Sequence, residues 1–146
     1  MTQGDLLQLR AMLADPAMGG VYTVEPGADD DCLDAARALD FAAVAIDFEG
    51  CAGKDDAIAR IAAALHFPQW FGGNWDALAD SLADLSWLPA PGYLLLLART
   101  DAWRATDPQA FETLTIILED ACAHWANERV PFWALLPAAG APRAGT

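Results

Sequence analysis

The chain has 146 residues, a length typical of one domain, and 55 % of them are hydrophobic, compared with about 45–50 % in an average soluble protein. The formal net charge of −13 argues against nucleic acid and anionic membrane surfaces as direct partners, because like charges repel. The same charge favours a basic protein partner, which would be attracted over a long range.

The three cysteines predict reduced thiols rather than a metal centre or a disulfide framework. Cys32, Cys51 and Cys122 are odd in number, widely spaced and without any CxxC pair. The amino terminus has no basic segment followed by an apolar one, and no apolar run reaches the roughly 20 residues of a membrane span. We therefore expect a cytoplasmic monomer without metal or cofactor.

The first 40 residues predict two helices and a strand. Residues 5–14 carry leucines at helical spacing, and Pro16 followed by two glycines ends that helix. Residues 20–25 form a short predicted strand. Three aspartates at 29–31 open the next helix, where carboxylates meet the positive end of the helix dipole. A calcium loop is rejected for this triplet because the spaced ligands and the downstream glutamate are missing.

The remaining chain alternates strands and helices. Two nearly continuous apolar runs, 42–48 and 92–98, predict strands that are buried on both faces. The alternation predicts an α/β fold with a small, mainly parallel sheet flanked by helices. The predicted elements beyond residue 40 are strands at 42–48, 92–98 and 131–136 and helices at 54–66, after Asn74 and at 107–126, the last with Pro108 at its first position.

Catalytic motifs are missing from the sequence, which contains no GxSxG, P-loop, HExxH or GxGxxG. His66 and His124 each lie near the end of a predicted helix, where a histidine interacts favourably with the dipole. Asp47 and Glu49, at the end of a strand, could form the acid/base pair of a small hydrolase. Two carboxylates without a partner base or metal are a weak signal, so we predict that the chain is not an enzyme.

Residues 67–82 read FPQWFGGNWDALADSL and combine a turn, a helix start and an acidic face. Asn74 is a suitable N-cap, and Gly72–Gly73 let the chain turn into the helix. Helical spacing then predicts a buried stripe, formed by Trp75, Leu78, Leu82 and Leu85.

A second stripe of the same helix is acidic. Asp76, Asp80 and Asp84 recur every four residues on one face, and no Lys or Arg occurs between Arg60 and Arg99. Like charges at this spacing destabilise a helix by about 0.2–0.5 kcal/mol per pair. The stripe has two interpretations: a solvated face that aids solubility, or a surface whose cations come from a partner.

Three neighbouring residues favour the partner interpretation. Ala79 lies between the acids, and its small side chain does not protrude beside them. Trp70 and Phe71 lie in a predicted loop, where large aromatics are less easily explained as core. Aromatic residues beside charges are typical of protein interfaces.

On these residues the sequence resembles the barstar family of intracellular ribonuclease inhibitors. The segment 67–89, FPQWFGGNWDALADSLADLSWLP, contains the family's signature of a proline, an aromatic pair, Gly-x-Asn and a helix with Asp-Ala-Leu-x-Asp. Weaker similarity extends from about residue 42 to residue 136. The resemblance implies a three-layer fold, with its core at 41–137 of a single domain. Residues 1–40 have no counterpart in the shortest family members and would form an N-terminal α/β extension packed on that core. The small residues, prolines and glycines of 138–146 predict a flexible tail.

The resemblance also implies a mode of action, in which the acidic helix and its preceding loop plug the cationic active site of a small ribonuclease. Asp80 would take the central position at the phosphate site, and Asp76 would lie one turn earlier. Trp70 would stand where the family has a contacting tyrosine. The implied partner-binding residues are Trp70, Phe71, Gly72, Gly73, Asn74, Asp76, Ala79, Asp80, Asp84 and, by a loose alignment, Glu112.

Two departures from the family pattern concern the partner's identity. Ala79 replaces a large aromatic of the best-known member, and Leu85 falls where that member has a second tryptophan, although Trp87 lies close by. We therefore keep two functional hypotheses beside the hydrolase. The first is an immunity or antitoxin protein that inhibits a small ribonuclease. The alternative is a barstar-like interaction module that binds another basic protein.

Overall fold

The computed structural model describes residues 3–25, 27–68 and 72–138. These form a four-stranded, all-parallel sheet with helices on both faces, which confirms the predicted α/β class. The strands are β1 Gly20–Val24, β2 Ala42–Asp47, β3 Tyr93–Ala98 and β4 Phe132–Pro137. The helices are α1 Gln3–Leu13, α2 Asp29–Ala38, α3 Lys54–Ala64, α4 Trp75–Asp84, α5 Asp101–Thr106 and α6 Pro108–Asn127, with a 3-10 turn at Pro16–Met18.

Strands β3 and β4 occupy the middle of the sheet, whose order is β1-β4-β3-β2. Tyr93 lies opposite Phe132 and the register continues to Leu96 opposite Leu135. Because successive side chains of a strand point to opposite faces, each central strand supplies apolar residues to both layers. The first five residues of β3 are accordingly all buried.

One face of the sheet is covered by α3, α4 and α6, with Trp103 of α5 at its margin. The side chains of Leu95, Leu97 and Phe132 are at most 1 % exposed there. Trp103 packs flat against Phe48, with ring centroids 5.5 Å apart. This larger core fixes the position of α4, whose Leu78 and Leu82 are fully buried within it.

The opposite face is covered by α1 and α2. Leu94, Leu96 and Trp133 point into this second core, together with Leu13 of α1. The indole N–H of Trp133 donates a hydrogen bond of 3.0 Å to the carbonyl oxygen of Leu13, so the sheet is tied directly to the end of α1. The first 40 residues therefore supply both the edge strand β1 and the helices of this layer.

Most predicted elements agree with the structure to within two residues, and two differ. The run at 42–48 is not buried on both faces, because β2 lies at an edge of the sheet and, in the described part of the chain, pairs only with β3. Within β2 only Ile46 is buried, and Ala45 and Asp47 are exposed. Helix α5 was not predicted, since six residues are too few for a helical period to be visible. Of the predicted tail, residues 139–146 lie outside the described ranges.

We expect α1 to unfold together with the rest of the domain. Leu13→Ala should lower the free energy of unfolding by about 2–5 kcal/mol, because it leaves a cavity beside Trp133. Leu7 lies on the same helix and is 58 % exposed, so Leu7→Ala should change stability by less than about 0.5 kcal/mol.

Urea unfolding followed by tryptophan fluorescence and by circular dichroism measures both variants. A single transition that shifts for Leu13→Ala and stays in place for Leu7→Ala is the expected result. Equal effects of the two substitutions, or a separate transition for α1, would show that the layer does not fold with the sheet.

Candidate protein-binding site

The acidic helix α4 begins as its sequence predicts. Asn74 has an extended backbone, and its side-chain oxygen accepts a hydrogen bond of 2.7 Å from the backbone N–H of Ala77. Gly73 has φ of +71°, a left-handed conformation that residues with a side chain rarely adopt. The N-cap and the glycine together start α4 at Trp75.

The inward side of α4 is held by packing and by a hydrogen bond from α6. Leu78, Ser81 and Leu82 are at most 3 % exposed. The indole N–H of Trp125 donates a hydrogen bond of 2.7 Å to the carbonyl oxygen of Leu82. That carbonyl lies in the last turn, where the helix itself provides no donor, so the contact completes the helix end and fixes α4 against α6.

Helix α4 ends in a strained conformation that packing maintains. Leu85 adopts a left-handed backbone with φ of 49°, which costs an ordinary residue about 1–2 kcal/mol. Its side chain is only 1 % exposed, so burial in the core offsets this cost. The outward face of α4 is thus fixed at both ends by contacts on its inward face.

The acidic stripe lies on this outward face. Asp76, Asp80 and Asp84 are all exposed, and within the described ranges no Lys, Arg or His forms an ion pair with any of them. Two of them, Asp80 and Asp84, border a half-open cavity of about 260 Å³. Its remaining lining comes from Gly72 and from two residues of α4, Ala77 and Ser81.

The two arginines that flank α4 in the sequence are engaged elsewhere. Arg60 forms an ion pair with Asp56, with 3.1 Å between Nε and Oδ1, and donates two hydrogen bonds to carbonyl oxygens at the end of β2. Arg99 forms ion pairs with Asp47 and Glu49, the latter at 2.8 Å. These contacts hold together the carboxyl ends of β2 and β3, so neither arginine neutralises the stripe on α4.

The same contacts argue against the acid/base pair considered from the sequence. The backbone N–H of Glu49 and the Arg99 guanidinium hold the pKa of Asp47 below its usual value. A general base works best with a pKa near the operating pH, and this shift goes in the opposite direction. Both Asp47 and Glu49 pair with Arg99, and they thereby help to hold the ends of β2 and β3 together.

The predicted site residues do not all fall in the described part of the chain. Trp70 and Phe71 lie outside the described ranges. Ala79 is half-buried and packs against the larger core, whereas the small residue in the cavity beside the acids is Ala77. Glu112 is exposed near the start of α6.

The structure adds a neighbouring cavity that sequence reasoning missed. The start of α6 adjoins the start of α4, where Trp75, Gln109 and Thr113 line a second open cavity of about 240 Å³ with Lys54. The residues come from three helices that are distant in sequence, so no local signal pointed to it.

A family model describes most of the chain that carries this site. The model of barstar, the barnase inhibitor, matches residues 41–137, about two thirds of the sequence. The chain belongs to the barstar family. The resemblance of the segment 67–89 is thereby confirmed, and membership of this non-enzymatic inhibitor family supports a ribonuclease-inhibitor-like role. Strand β1 and helices α1 and α2 precede the matched residues.

The other comparisons add information on the fold alone. The solved structure of the Aeropyrum pernix ORC2 protein, in ADPNP–ADP complexes, is similar with a TM-score of 0.64 and 13 % identity. The alignment covers 94 % of this barstar-family chain and 40 % of that chain. No curated protein sequence matches significantly. Within the described ranges, no helix is long and apolar enough to cross a membrane.

Neutralising Asp80, which has no ion pair within the described ranges, should affect stability differently from neutralising Asp47, which pairs with Arg99. Asp80→Asn should leave stability unchanged or raise it by up to about 0.5 kcal/mol, because it relieves repulsion from Asp76 and Asp84. Asp47→Asn should lower stability at neutral pH, since it breaks the contact with Arg99.

The loss of stability caused by Asp47→Asn should become smaller as the pH falls. Because folding lowers the pKa of Asp47 from about 3.8, its contribution is full above that value and is lost as the pH falls through the folded pKa. Chemical unfolding of both variants between neutral and strongly acidic pH measures this. A destabilising Asp80→Asn at neutral pH would make the stripe a structural feature and contradict the assignment.

Proposed function

We propose that this barstar-family protein inhibits a small, basic ribonuclease by inserting the acidic face of α4 into the enzyme's cationic active site. The observation that carries the proposal is the set of three exposed carboxylates, Asp76, Asp80 and Asp84, without an ion-pair partner within the described ranges. Such a face costs stability in the free protein, and a partner that supplies cations removes this cost.

The chemistry of the two surfaces is complementary. A ribonuclease has to bind a phosphodiester, and arginine and lysine side chains provide that binding. A carboxylate resembles one phosphate in its charge and in the two-pronged hydrogen bond that it accepts from a guanidinium. Asp80 takes the central position in this proposal, because it lies in the middle of the stripe and borders the cavity with Asp84.

The rigidity of α4 fixes the position of its carboxylates and also favours binding. Its inward face is buried in the core and its last turn is capped by Trp125, so the carboxylates lose little further freedom on binding. We assign to Gly72, Gly73 and Asn74 the role of presenting the start of this face. Trp70, Phe71 and Glu112 would complete the contact at its margins, and Ala79 would leave room for the partner's surface.

Net charge gives the interaction its speed. A protein of charge −13 attracts a basic enzyme before contact, which raises the rate of encounter at low ionic strength. Fast capture matters because free ribonuclease destroys cellular RNA, and this is the logic of an immunity or antitoxin protein. An inhibitor that acts by occupying the enzyme's active site needs no catalytic residue and no cofactor of its own.

The proposal is tested by inhibition of RNA cleavage by small basic ribonucleases of the kind this fold would block. The wild-type protein should inhibit such an enzyme at near-equal molar amounts. Asp80→Ala should weaken inhibition by at least about 30-fold, since removal of one partner of a buried charge pair costs ~2–5 kcal/mol.

Asp34→Ala is the matched control. It removes the same charge from an exposed position of α2, on the other face of the sheet, and should leave inhibition nearly unchanged. Equal effects of the two substitutions would show that α4 contributes to inhibition only through the net charge of the protein. Binding of basic proteins through Asp80 without any inhibition of cleavage would instead favour an interaction module with a different basic partner.

A further inference from the structure

Strand β1 presents unpaired backbone groups at one edge of the sheet. Among the described residues it pairs only with β4, and the N–H of Ala138 continues that pairing with a hydrogen bond of 2.8 Å to the carbonyl oxygen of Val24. Because backbone groups of successive strand residues point to opposite sides, those of Val21 and Thr23 point away from β4. In the described ranges no second strand pairs with this side of β1, and no hydrogen bond outside the sheet involves these backbone groups.

An apolar cavity of about 240 Å³ lies over β1 and β4 on the face covered by α1 and α2. Large apolar side chains remain exposed at its rim, with Met12 at 41 %, Met18 at 44 % and Tyr22 at 43 %. Tyr22 also packs against Trp133, with ring centroids 5.4 Å apart. The helical layer therefore stops short of the sheet edge on this face.

A polar cavity of about 280 Å³ lies over the same two strands on the opposite face. Thr23 of β1 lines it, together with Asp101, Arg104 and Glu119 of the neighbouring helices. Arg104 lies 5.0 Å from the centre of the Phe111 ring and forms no ion pair with either acid. Carboxylates at this cavity are thus available to a cation from outside.

We propose that the edge of β1 is a docking site for an extended segment of a basic partner protein, whose apolar and basic side chains alternate. A segment added to the edge would bond to the backbone of Val21 and Thr23. Since its side chains point alternately to the two faces, apolar ones would enter the cavity at Met12 and Met18, and basic ones the cavity at Glu119. This site is distinct from α4, and β1 lies outside the family-matched residues 41–137.

Charge favours a basic segment over a second copy of this chain. Two carboxylates, from Asp101 and Glu119, line the cavity at this edge with one cation, Arg104. Glu25, the residue that follows β1, is exposed and adds a third carboxylate next to the strand in the sequence. A second copy would bring an uncharged strand, GVYTV, followed by its own glutamate, and a further net charge of −13. Repulsion between two such copies opposes pairing through this edge.

The test uses the full chain and a blocked peptide of about eight residues, a common strand length, in which valine or leucine alternates with lysine. A peptide of the same composition, with its apolar and lysine residues in separate blocks, is the control. Saturable binding should shift the amide resonances of Val21 and Thr23 most strongly, and the control should bind at least about fivefold more weakly. Shifts confined to α4, or equal binding of both peptides, would overturn the proposal.

Two variants separate the backbone contact from the charge. Thr23→Pro removes the outward N–H and should abolish binding, whereas Thr23→Val should keep it. Glu119→Lys does not alter the strand. It should weaken binding of the lysine peptide by about fivefold and strengthen binding of a peptide in which glutamate replaces lysine. Binding that Glu119→Lys leaves unchanged would overturn the proposal. So would a dimer of the chain alone that Thr23→Pro dissociates, because a second copy would then occupy the edge.

Discussion

The burial of Leu78 and Leu82 is the constraint on which the candidate site depends. These side chains are fully buried in the larger core, and Trp125 caps the last turn of their helix from α6. Because an α-helix turns by about 100° per residue, a fixed inward stripe leaves one orientation for the stripe beside it. Asp76, Asp80 and Asp84 therefore point outward together, and the free protein cannot rotate them toward its own cations.

The distribution of the arginines makes this face unusual. The chain has only eight Lys and Arg residues but 21 acidic ones, so the acidic residues outnumber the cations that could pair with them. Arg99 binds the two acids at the end of β2 instead, and Arg60 pairs with Asp56 of α3 while donating to carbonyl oxygens at the end of β2. Those contacts stabilise a junction between strands, and within the described ranges the acids on α4 remain without an ion pair. Under the proposed function, binding and stability therefore use different carboxylates of the same protein.

The sequence predicted α4 well because every signal for it is local. An N-cap at Asn74, a glycine at 73 and a helical period are all read within a few residues, and the structure has each of them. The edge position of β2 depends on the order of strands, which no local pattern encodes. The pairing of Arg99 with Asp47 spans 52 positions and was likewise invisible. The cavity beside the acids depends on how Gly72 approaches Ala77, so no local pattern in the sequence indicated it.

The N-terminal 40 residues lie outside the family-matched segment 41–137 and build one layer of the fold. They supply α1 and α2, which cover one face of the sheet, and β1, which adds an edge with a cavity on either side. The site on α4 and the edge at β1 draw on different parts of the fold. A partner could therefore engage one without the other, and each site can be altered separately.

The most direct test of the account measures which carboxylates a partner covers. Carbodiimide-driven labelling with an amine modifies exposed aspartates, and mass spectrometry reports the reactivity of each one in the free protein and in its complex with a small basic ribonuclease. The account predicts that Asp76, Asp80 and Asp84 lose their reactivity in the complex, while Asp34 on α2 keeps it. A complex in which the three aspartates of α4 stay as reactive as in the free protein would contradict the account.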